Sequence, residues 1–206
     1  MKNYVYTYDN YVFDLYGTLV DVLTDEESDA FWRKIAKILK GNSDEIKFEY
    51  KKLCSEKTDE AGKDGEFDLL DVFEKMLLNH DCKVDEKEFA WKFRKASLKR
   101  EKLFPKVKSS LKDLRKRGKG VYLISNAQSC FTRKELDKLS LTSLFDGIVI
   151  SSEVGYKKPS KAIFDIAFEK FGIDKETSIF IGNDPIDDIQ GAENAGIQTH
   201  FVSRSK

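Results

Sequence analysis

A single aspartate ends a short apolar run near the start of the chain. Asp14 follows Tyr11-Val12-Phe13 and is soon followed by Gly17, where the chain can turn. The run predicts a buried strand with Asp14 at its carboxyl end, the edge at which open parallel sheets bind ligands. A carboxylate placed there can act as a nucleophile toward a phosphoryl group. The alternative is a solvated aspartate that merely ends a strand at a turn.

Polar residues also follow three later apolar runs. They are Ser125-Asn126 after 120–124, Lys157-Lys158 after 147–150, and Asp184, Asp187 and Asp188 after 178–181. Each group alone has an ordinary explanation, since serine and aspartate often begin turns and helices. Because parallel strands end at one edge, the groups together predict a site beside Asp14. There a lysine and hydroxyl groups would offset the negative charge of an anionic substrate.

The elements that must position these residues follow from hydrophobic spacing. After residue 104, short apolar runs alternate with amphipathic segments, which predicts an α/β fold. We expect a Rossmann-like open parallel sheet of about five strands with helices on both faces. Residues 21–103, called the insert below, show helical spacing instead and predict about four helices. The expected domains are a core of 1–20 and 104–206 and an all-α cap formed by the insert.

Composition limits the classes of partner. Lys+Arg and Asp+Glu both number 36, so we expect no binding to nucleic acid or to membranes. Three cysteines without a disulfide pattern predict a cytoplasmic protein, and no apolar run reaches the about 20 residues of a membrane span. A basic set in the insert is interpreted as a solvated face: Lys92, Arg94, Lys95, Lys99, Arg100 and Lys102.

Four ordered motifs resemble those of the haloacid dehalogenase-like hydrolase superfamily, and the insert resembles its helical cap. They are Asp14-x-Tyr16-Gly17-Thr18-Leu19, Ser125-Asn126, Gly155-Tyr156-Lys157-Lys158-Pro159, and Gly182-Asn183-Asp184 to Asp188 with Gly191-Ala192. The resemblance implies that Asp14 is the nucleophile, that Thr18 and Ser125 are phosphate-loop hydroxyls, and that Lys158 is the motif lysine. It also implies two further sets of residues. The substrate contacts are Tyr16, Gly17, Asn126 and Lys157, and the Mg²⁺ ligands come from Asp14, Tyr16, Asn183, Asp184 and Asp188.

The alignment within the fourth motif leaves one ligand open. Counting back from Gly191-Ala192 places Asn183 at the usual metal position, whereas counting from Asp184 to Ile189 makes Asp184 the ligand. We favour Asp184, because an anionic oxygen holds Mg²⁺ better than an amide does.

Tyr16 departs from the pattern of the family's phosphatases, which usually carry a second aspartate at this position as acid and base. Losing such a group typically costs ~10²- to 10⁴-fold in rate, and tyrosine is a poor base at neutral pH. Without this acid, substrates with good leaving groups should be favoured. The first motif also resembles that of the L-2-haloacid dehalogenases, which need neither this acid nor a metal. The acid-rich fourth loop, and Phe164 where those enzymes have a tyrosine, favour Mg²⁺ instead.

The function predicted from the sequence is therefore that of a Mg²⁺-dependent phosphatase. It would act on a small, anionic phosphorylated metabolite through an aspartyl-phosphate, as a monomer or homodimer. The alternatives are a metal-independent 2-haloacid dehalogenase and a non-catalytic binding or regulatory relative.

Overall fold

The computed structural model describes residues 7–203. Along the chain the strands and helices are β1 (Asn10–Phe13), β2 (Val20–Thr24), α1 (Asp29–Leu39), α2 (Ser43–Ala61), α3 (Leu69–Asn79), α4 (Glu86–Ser97), β3 (Leu98–Leu103), α5 (Val107–Lys116), β4 (Gly120–Ser125), α6 (Ser129–Lys138), β5 (Gly147–Ile150), α7 (Ser151–Val154), α8 (Lys161–Phe171), β6 (Ser178–Gly182), a π-helical turn (Pro185–Gln190), α9 (Gly191–Asn194) and β7 (Gln198–Phe201). Short 3₁₀ turns cover Thr142–Leu144 and Lys175–Thr177.

A parallel sheet forms the centre of the described chain. Its five strands lie in the order β5-β4-β1-β6-β7, and each neighbouring pair is parallel. Successive side chains of β1 enter different cores: Tyr11 and Phe13 pack with α5, whereas Val12 packs with α8 and α9. The predicted α/β sheet covered on both faces is confirmed. Because β1 is the central strand, its carboxyl end lies between those of β4 and β6.

The insert contains the four predicted helices, and its two ends differ from the prediction. β2 and β3 form an antiparallel pair in which Val20 lies opposite Leu103. Part of the basic set, Lys99, Arg100 and Lys102, therefore lies on a strand and not on a helix face. An all-α description holds for residues 29–97. The division into a core domain and a cap domain stays a prediction, and its residues 1–6 and 204–206 lie outside the described chain.

The insert has its own hydrophobic cluster. Phe31, Trp32, Phe73 and Phe93 pack ring against ring within it, and Phe131 of α6 joins them from the core side. The four helices each begin with a side chain that accepts a backbone N–H: Ser28, Asn42, Asp68 and Asp85. The insert is thus internally packed and is anchored to the core through α6.

The predictions about disulfides and membrane spans can be compared with the described residues. Cys54, Cys82 and Cys130 are all free thiols. Among residues 7–203, every helix is too short or too polar to cross a membrane.

Candidate active site

Asp14 follows β1 at the carboxyl edge of the sheet. Its backbone N–H donates to the carbonyl oxygen of Ile181 at 2.9 Å, and the residue is 7% exposed. Oδ2 of its carboxylate accepts a hydrogen bond from Thr18 Oγ1 at 2.9 Å. Oδ1 accepts one from Lys158 Nζ, also at 2.9 Å. The fold therefore joins Asp14 to a lysine 144 positions away in the sequence.

Lys158 is held between two carboxylates in the interior. Its Nζ lies 2.5 Å from Asp188 Oδ1, and both residues are 2% exposed. The other oxygen of Asp188 accepts the N–H groups of Asn183 and Asp184, each at 2.9 Å. Burial lowers the pKa of the Lys158 ammonium, but the two carboxylates outweigh burial and hold that pKa above its usual value. Lys158 is thus a fixed positive charge beside Asp14.

Two glycines make room for this arrangement. A Cβ on Gly182 would lie 2.4 Å from side-chain atoms of Asp188. Gly17 has a φ of +86°, and a Cβ there would lie 2.6 Å from the amide of Asn183. A side chain at either position would displace a polar residue of the group around Asp14. We call this group the Asp14 cluster: Asp14, Thr18, Lys158, Asn183 and Asp188.

The loop after β4 lies against the Lys158 loop. Asn126 donates from Nδ2 to the carbonyl oxygen of Lys158 at 2.9 Å, and its Oδ1 accepts the N–H of Lys158 at 2.7 Å. Ser125, which is 1% exposed, has a buried Oγ with no hydrogen-bond partner within residues 7–203. An unpaired buried hydroxyl is costly, so Ser125 is available to bind a ligand.

In the loop after β6, Asn183 and Asp184 face different partners. Asn183 Oδ1 lies 2.9 Å from Thr18 Oγ1, the hydroxyl that also contacts Asp14. Asp184 is exposed, and its Oδ1 accepts the N–H groups of Ile186 and Asp187 as a helix cap. Asn183, and not the favoured Asp184, is therefore the residue that the fold brings to the Thr18–Asp14 pair. Sequence pattern could not separate them, because adjacent residues in a loop have no periodicity.

Lys157 lies on the insert side of the site. It is half-buried, and its backbone N–H donates to the carbonyl oxygen of Asp64 at 3.2 Å. Among the described residues, no contact of its side chain with the Asp14 cluster is seen. Its predicted role as a substrate contact stays a prediction.

The oxygen donors near Asp14 are of mixed type. Within residues 7–203, no three His, Cys, Asp or Glu side chains converge as a metal site. The cluster offers instead the carboxylate of Asp14 and the amide oxygen of Asn183, while Lys158 and two carboxylates leave one net negative charge when ionised. Mg²⁺ prefers oxygen ligands and usually retains several waters, so this donor set fits a magnesium ion.

Tyr16 is turned toward α6 and the insert. Its hydroxyl donates to Glu135 Oε2 and lies 3.0 Å from Thr132 Oγ1. Arg94 of the insert reaches the same carboxylate through Nε at 2.6 Å and Nη2 at 3.3 Å. Burial and Glu135 raise the pKa of the Tyr16 hydroxyl above its usual value. Tyr16 is therefore not poised to release its proton.

Sequence reasoning missed the buried Arg94–Glu135 pair. Arg94 is 8% and Glu135 1% exposed, so the interpretation of Arg94 as part of a solvated face is wrong. The spacing of Phe131, Thr132, Glu135 and Leu136 places them on one helix face, which is the signal that could have drawn attention to a buried acid. Nothing in the sequence indicates that Arg94 lies opposite it.

Several known proteins are similar to this chain. A profile of the haloacid dehalogenase-like hydrolases matches residues 8–196. A glyceraldehyde 3-phosphate phosphatase of Methanothermobacter thermautotrophicus is 37% identical over 100 residues, which are 48% of this chain and 44% of that protein. A phosphoserine phosphatase of Thermus thermophilus is 32% identical over 106 residues, 52% of this chain and 43% of that protein. The matched segments span less than half the length of both relatives.

One solved structure extends the likeness to nearly the whole fold. A HAD family enzyme of Bacteroides thetaiotaomicron superposes with a TM-score of 0.67 and 20% identity, over 97% of this chain and 95% of that one. At this identity the match establishes the fold alone.

Proposed function

The chain belongs to the haloacid dehalogenase-like hydrolase family, and from this premise we propose that it is a Mg²⁺-dependent phosphatase. Its substrates would be small phosphorylated metabolites, and the reaction would pass through an aspartyl-phosphate on Asp14. The names of the two phosphatase relatives support this substrate class. The observation that carries the proposal is the 2.9 Å contact between Lys158 Nζ and Asp14 Oδ1 inside a buried site.

Two displacements at phosphorus make up the reaction. An Asp14 carboxylate oxygen attacks the phosphorus, and the bond to the leaving group breaks with its electron pair. Water then attacks the phosphorus, the bond to Asp14 breaks, and the proton of the water leaves with phosphate. Lys158 offsets the charge on Asp14 and the phosphoryl oxygens. The Ser125 hydroxyl donates to one of those oxygens, which gives its buried Oγ the partner that it lacks.

The metal ligands follow from the donors around Thr18. We assign Asp14, Asn183 and the backbone carbonyl of Tyr16 to Mg²⁺, with Asp188 nearby, and we give Asp184 a capping role. Bound magnesium would lessen the repulsion between Asp14 and an anionic phosphoryl group.

A 2-haloacid dehalogenase is the second candidate. Tyr16 supports it, because the hydroxyl is committed to Glu135 and halide release needs no proton from that position. Asp14 would then form an ester with the substrate carbon as the halide leaves. Two further carboxylates favour the phosphatase, since a halide gains nothing from neighbouring negative charge. They are Asp188, which pairs with Lys158, and Asp187, whose Oδ2 accepts a hydrogen bond from Asn126 Nδ2 at 3.2 Å.

A substrate panel with and without Mg²⁺ tests both candidates. Phosphate release that requires Mg²⁺ and is lost in Asp14→Asn supports the phosphatase. Chloride release from 2-chloropropionate without metal, also lost in Asp14→Asn, supports the dehalogenase instead. Phosphate release that survives Asp14→Asn would refute Asp14 as the nucleophile.

A further inference from the structure

The loop that carries Ser125 is anchored at each of the next four residues. Asn126 is paired with the backbone of Lys158. The N–H groups of Ala127 and Ser129 donate to Ser151 Oγ and Ser152 Oγ, both at 2.9 Å. These anchors come from the core. The remaining one, Gln128, joins the loop to the insert.

The side chain of Gln128 forms hydrogen bonds with the insert and not with its own helix. It stands at the N-cap of α6, yet its side chain makes no capping hydrogen bond there. Instead Oε1 accepts the N–H of Leu69 at 2.8 Å. Nε2 donates to the carbonyl oxygen of Phe67 at 3.0 Å and to Glu66 Oε1 at 3.4 Å. Leu69 begins α3, where a helix N–H needs an outside acceptor.

The segment before α3 is held to the core by backbone and side-chain polar contacts. The N–H of Glu66 donates to the carbonyl oxygen of Gly155 at 3.0 Å, and Gly65 forms an isolated antiparallel bridge with Tyr156. The Glu66 carboxylate also accepts hydrogen bonds from Ser151 Oγ at 3.2 Å and from Gln128 Nε2 at 3.4 Å. We call these contacts between residues 64–69 and the core the seam.

We propose that Gln128 is a positioning residue that makes the geometry of the Ser125 loop depend on docking of the insert. When the insert is docked, the hydrogen bonds of the Gln128 side chain fix the chain three residues beyond Ser125 and so set the Ser125 hydroxyl for the phosphoryl group. When the insert separates, the loop loses this restraint. The inference rests on the proposed phosphatase function and adds a residue that does not touch the substrate.

A double-mutant cycle between Gln128 and Ser125 tests the proposal, with p-nitrophenyl phosphate and Mg²⁺ as the assay. Ser125→Ala should lower kcat/KM by ~10²-fold, as for removal of one oxyanion donor. Gln128→Ala should lower it by about 10-fold, the effect of one or two ordinary hydrogen bonds, mainly in kcat. In the Ser125→Ala background the same change should cost less than about 3-fold, because residues that act through one another are not additive.

The controls separate positioning from loss of fold. Asn79→Ala removes a hydrogen bond to Glu49 within the insert, away from the seam, and should be additive with Ser125→Ala. Gln128→Glu keeps the acceptor for Leu69 but not the donor to Phe67 and Glu66, so it should lose kcat even where it melts like the wild type. Additive losses for Gln128→Ala and Ser125→Ala, or an unchanged kcat in both Gln128 variants, would overturn the inference and leave the proposed function intact. Activity that persists in Asp14→Asn would overturn both.

Discussion

The hydroxyl of Tyr16 donates its hydrogen bond to the carboxylate of Glu135, which a bidentate contact with Arg94 holds in place. Tyr16 stands two residues after the candidate nucleophile, where a proton donor would serve the leaving group. Giving up its proton would place a phenolate beside a buried carboxylate, and like charges in the interior strongly disfavour that state. A phosphatase reaction at Asp14 would therefore proceed without a proton from this residue.

Acyl and aryl phosphates should accordingly be better substrates than alkyl phosphates. Their leaving groups depart as stable anions, whereas an alkoxide needs a proton, and general acid catalysis is worth ~10²- to 10⁴-fold. We expect a steep fall of kcat/KM with the pKa of the leaving group across a series of aryl phosphates. Tyr16→Phe should show the same slope. Equal rates for alkyl and aryl phosphates would contradict this prediction.

Removing one member of the buried Arg94–Glu135 pair should cost more stability than removing both. Arg94→Met leaves a buried carboxylate without its cation, which should lower the free energy of unfolding by roughly 3–5 kcal/mol. Arg94→Met combined with Glu135→Leu removes both charges and should recover at least half of that loss. Urea unfolding of the variants measures this.

The more exposed Arg133–Glu153 pair provides a control, and Arg133 lies on α6 as Glu135 does. Its side chains are 42% and 32% exposed, so Arg133→Gln should cost less than about 1 kcal/mol. A single Arg94→Met variant as stable as the wild type would show that the buried pair contributes little.

Much of the fold could be predicted because each element carries a local signal. The buried run that ends at Asp14 and the helix stop at Gly172 depend on residues next to each other in the sequence. β2 and β3 were missed because their pairing joins residues about 80 positions apart and their outer faces are charged, as a solvated helix would be. A local hydrophobic pattern does not indicate which distant segment a strand pairs with.

The site divides in the same way. The sequence predicts that Asp14, Ser125 and Lys158 lie close together, because each follows a predicted strand or its connecting loop. The carboxyl ends of parallel strands lie at one edge of the sheet. The sequence favoured Asp184 over Asn183 on charge, but the position of each side chain depends on which one faces Thr18 and which one caps the following turn. Charge alone favoured the aspartate, whereas the backbone geometry directs the amide toward the site.

Lys158 and Lys157 are neighbours with opposite environments, and substitution should separate them. Lys158→Met leaves Asp14 and Asp188 facing each other without a cation, so activity should be lost and the free energy of unfolding should fall by roughly 3 kcal/mol or more. Lys157→Met should raise KM if the predicted substrate contact exists, with a stability change below about 1 kcal/mol. Thermal unfolding and steady-state kinetics measure both. Equal loss of stability in the two variants would contradict the buried role of Lys158.

Two cysteines should resist alkylation in the folded protein. Burial raises the pKa of the Cys54 thiol to about 11 and that of the Cys130 thiol to about 12. Only the thiolate reacts, so at pH 8 their alkylation should be slower by ~10²-fold for Cys54 and ~10³-fold for Cys130 than in the unfolded chain. The rates should still be rising with pH above 9, where an ordinary thiol is already mostly ionised. Iodoacetamide labelling followed by peptide mass spectrometry measures this, and labelling at the unfolded rate would refute it.

Magnesium affinity should depend on Asn183 and not on Asp184. Asn183 Oδ1 shares the Thr18 hydroxyl with Asp14, so Asn183→Ala should weaken Mg²⁺ binding by about 10-fold or more, and Asn183→Asp should strengthen it because a carboxylate is the better ligand. Asp184→Asn is the matched control, since asparagine caps a helix as well as aspartate does. It should leave both Mg²⁺ affinity and melting temperature nearly unchanged. Calorimetric titration with Mg²⁺ measures binding independently of turnover. A loss of affinity in Asp184→Asn alone would show that Asp184, and not Asn183, is the ligand.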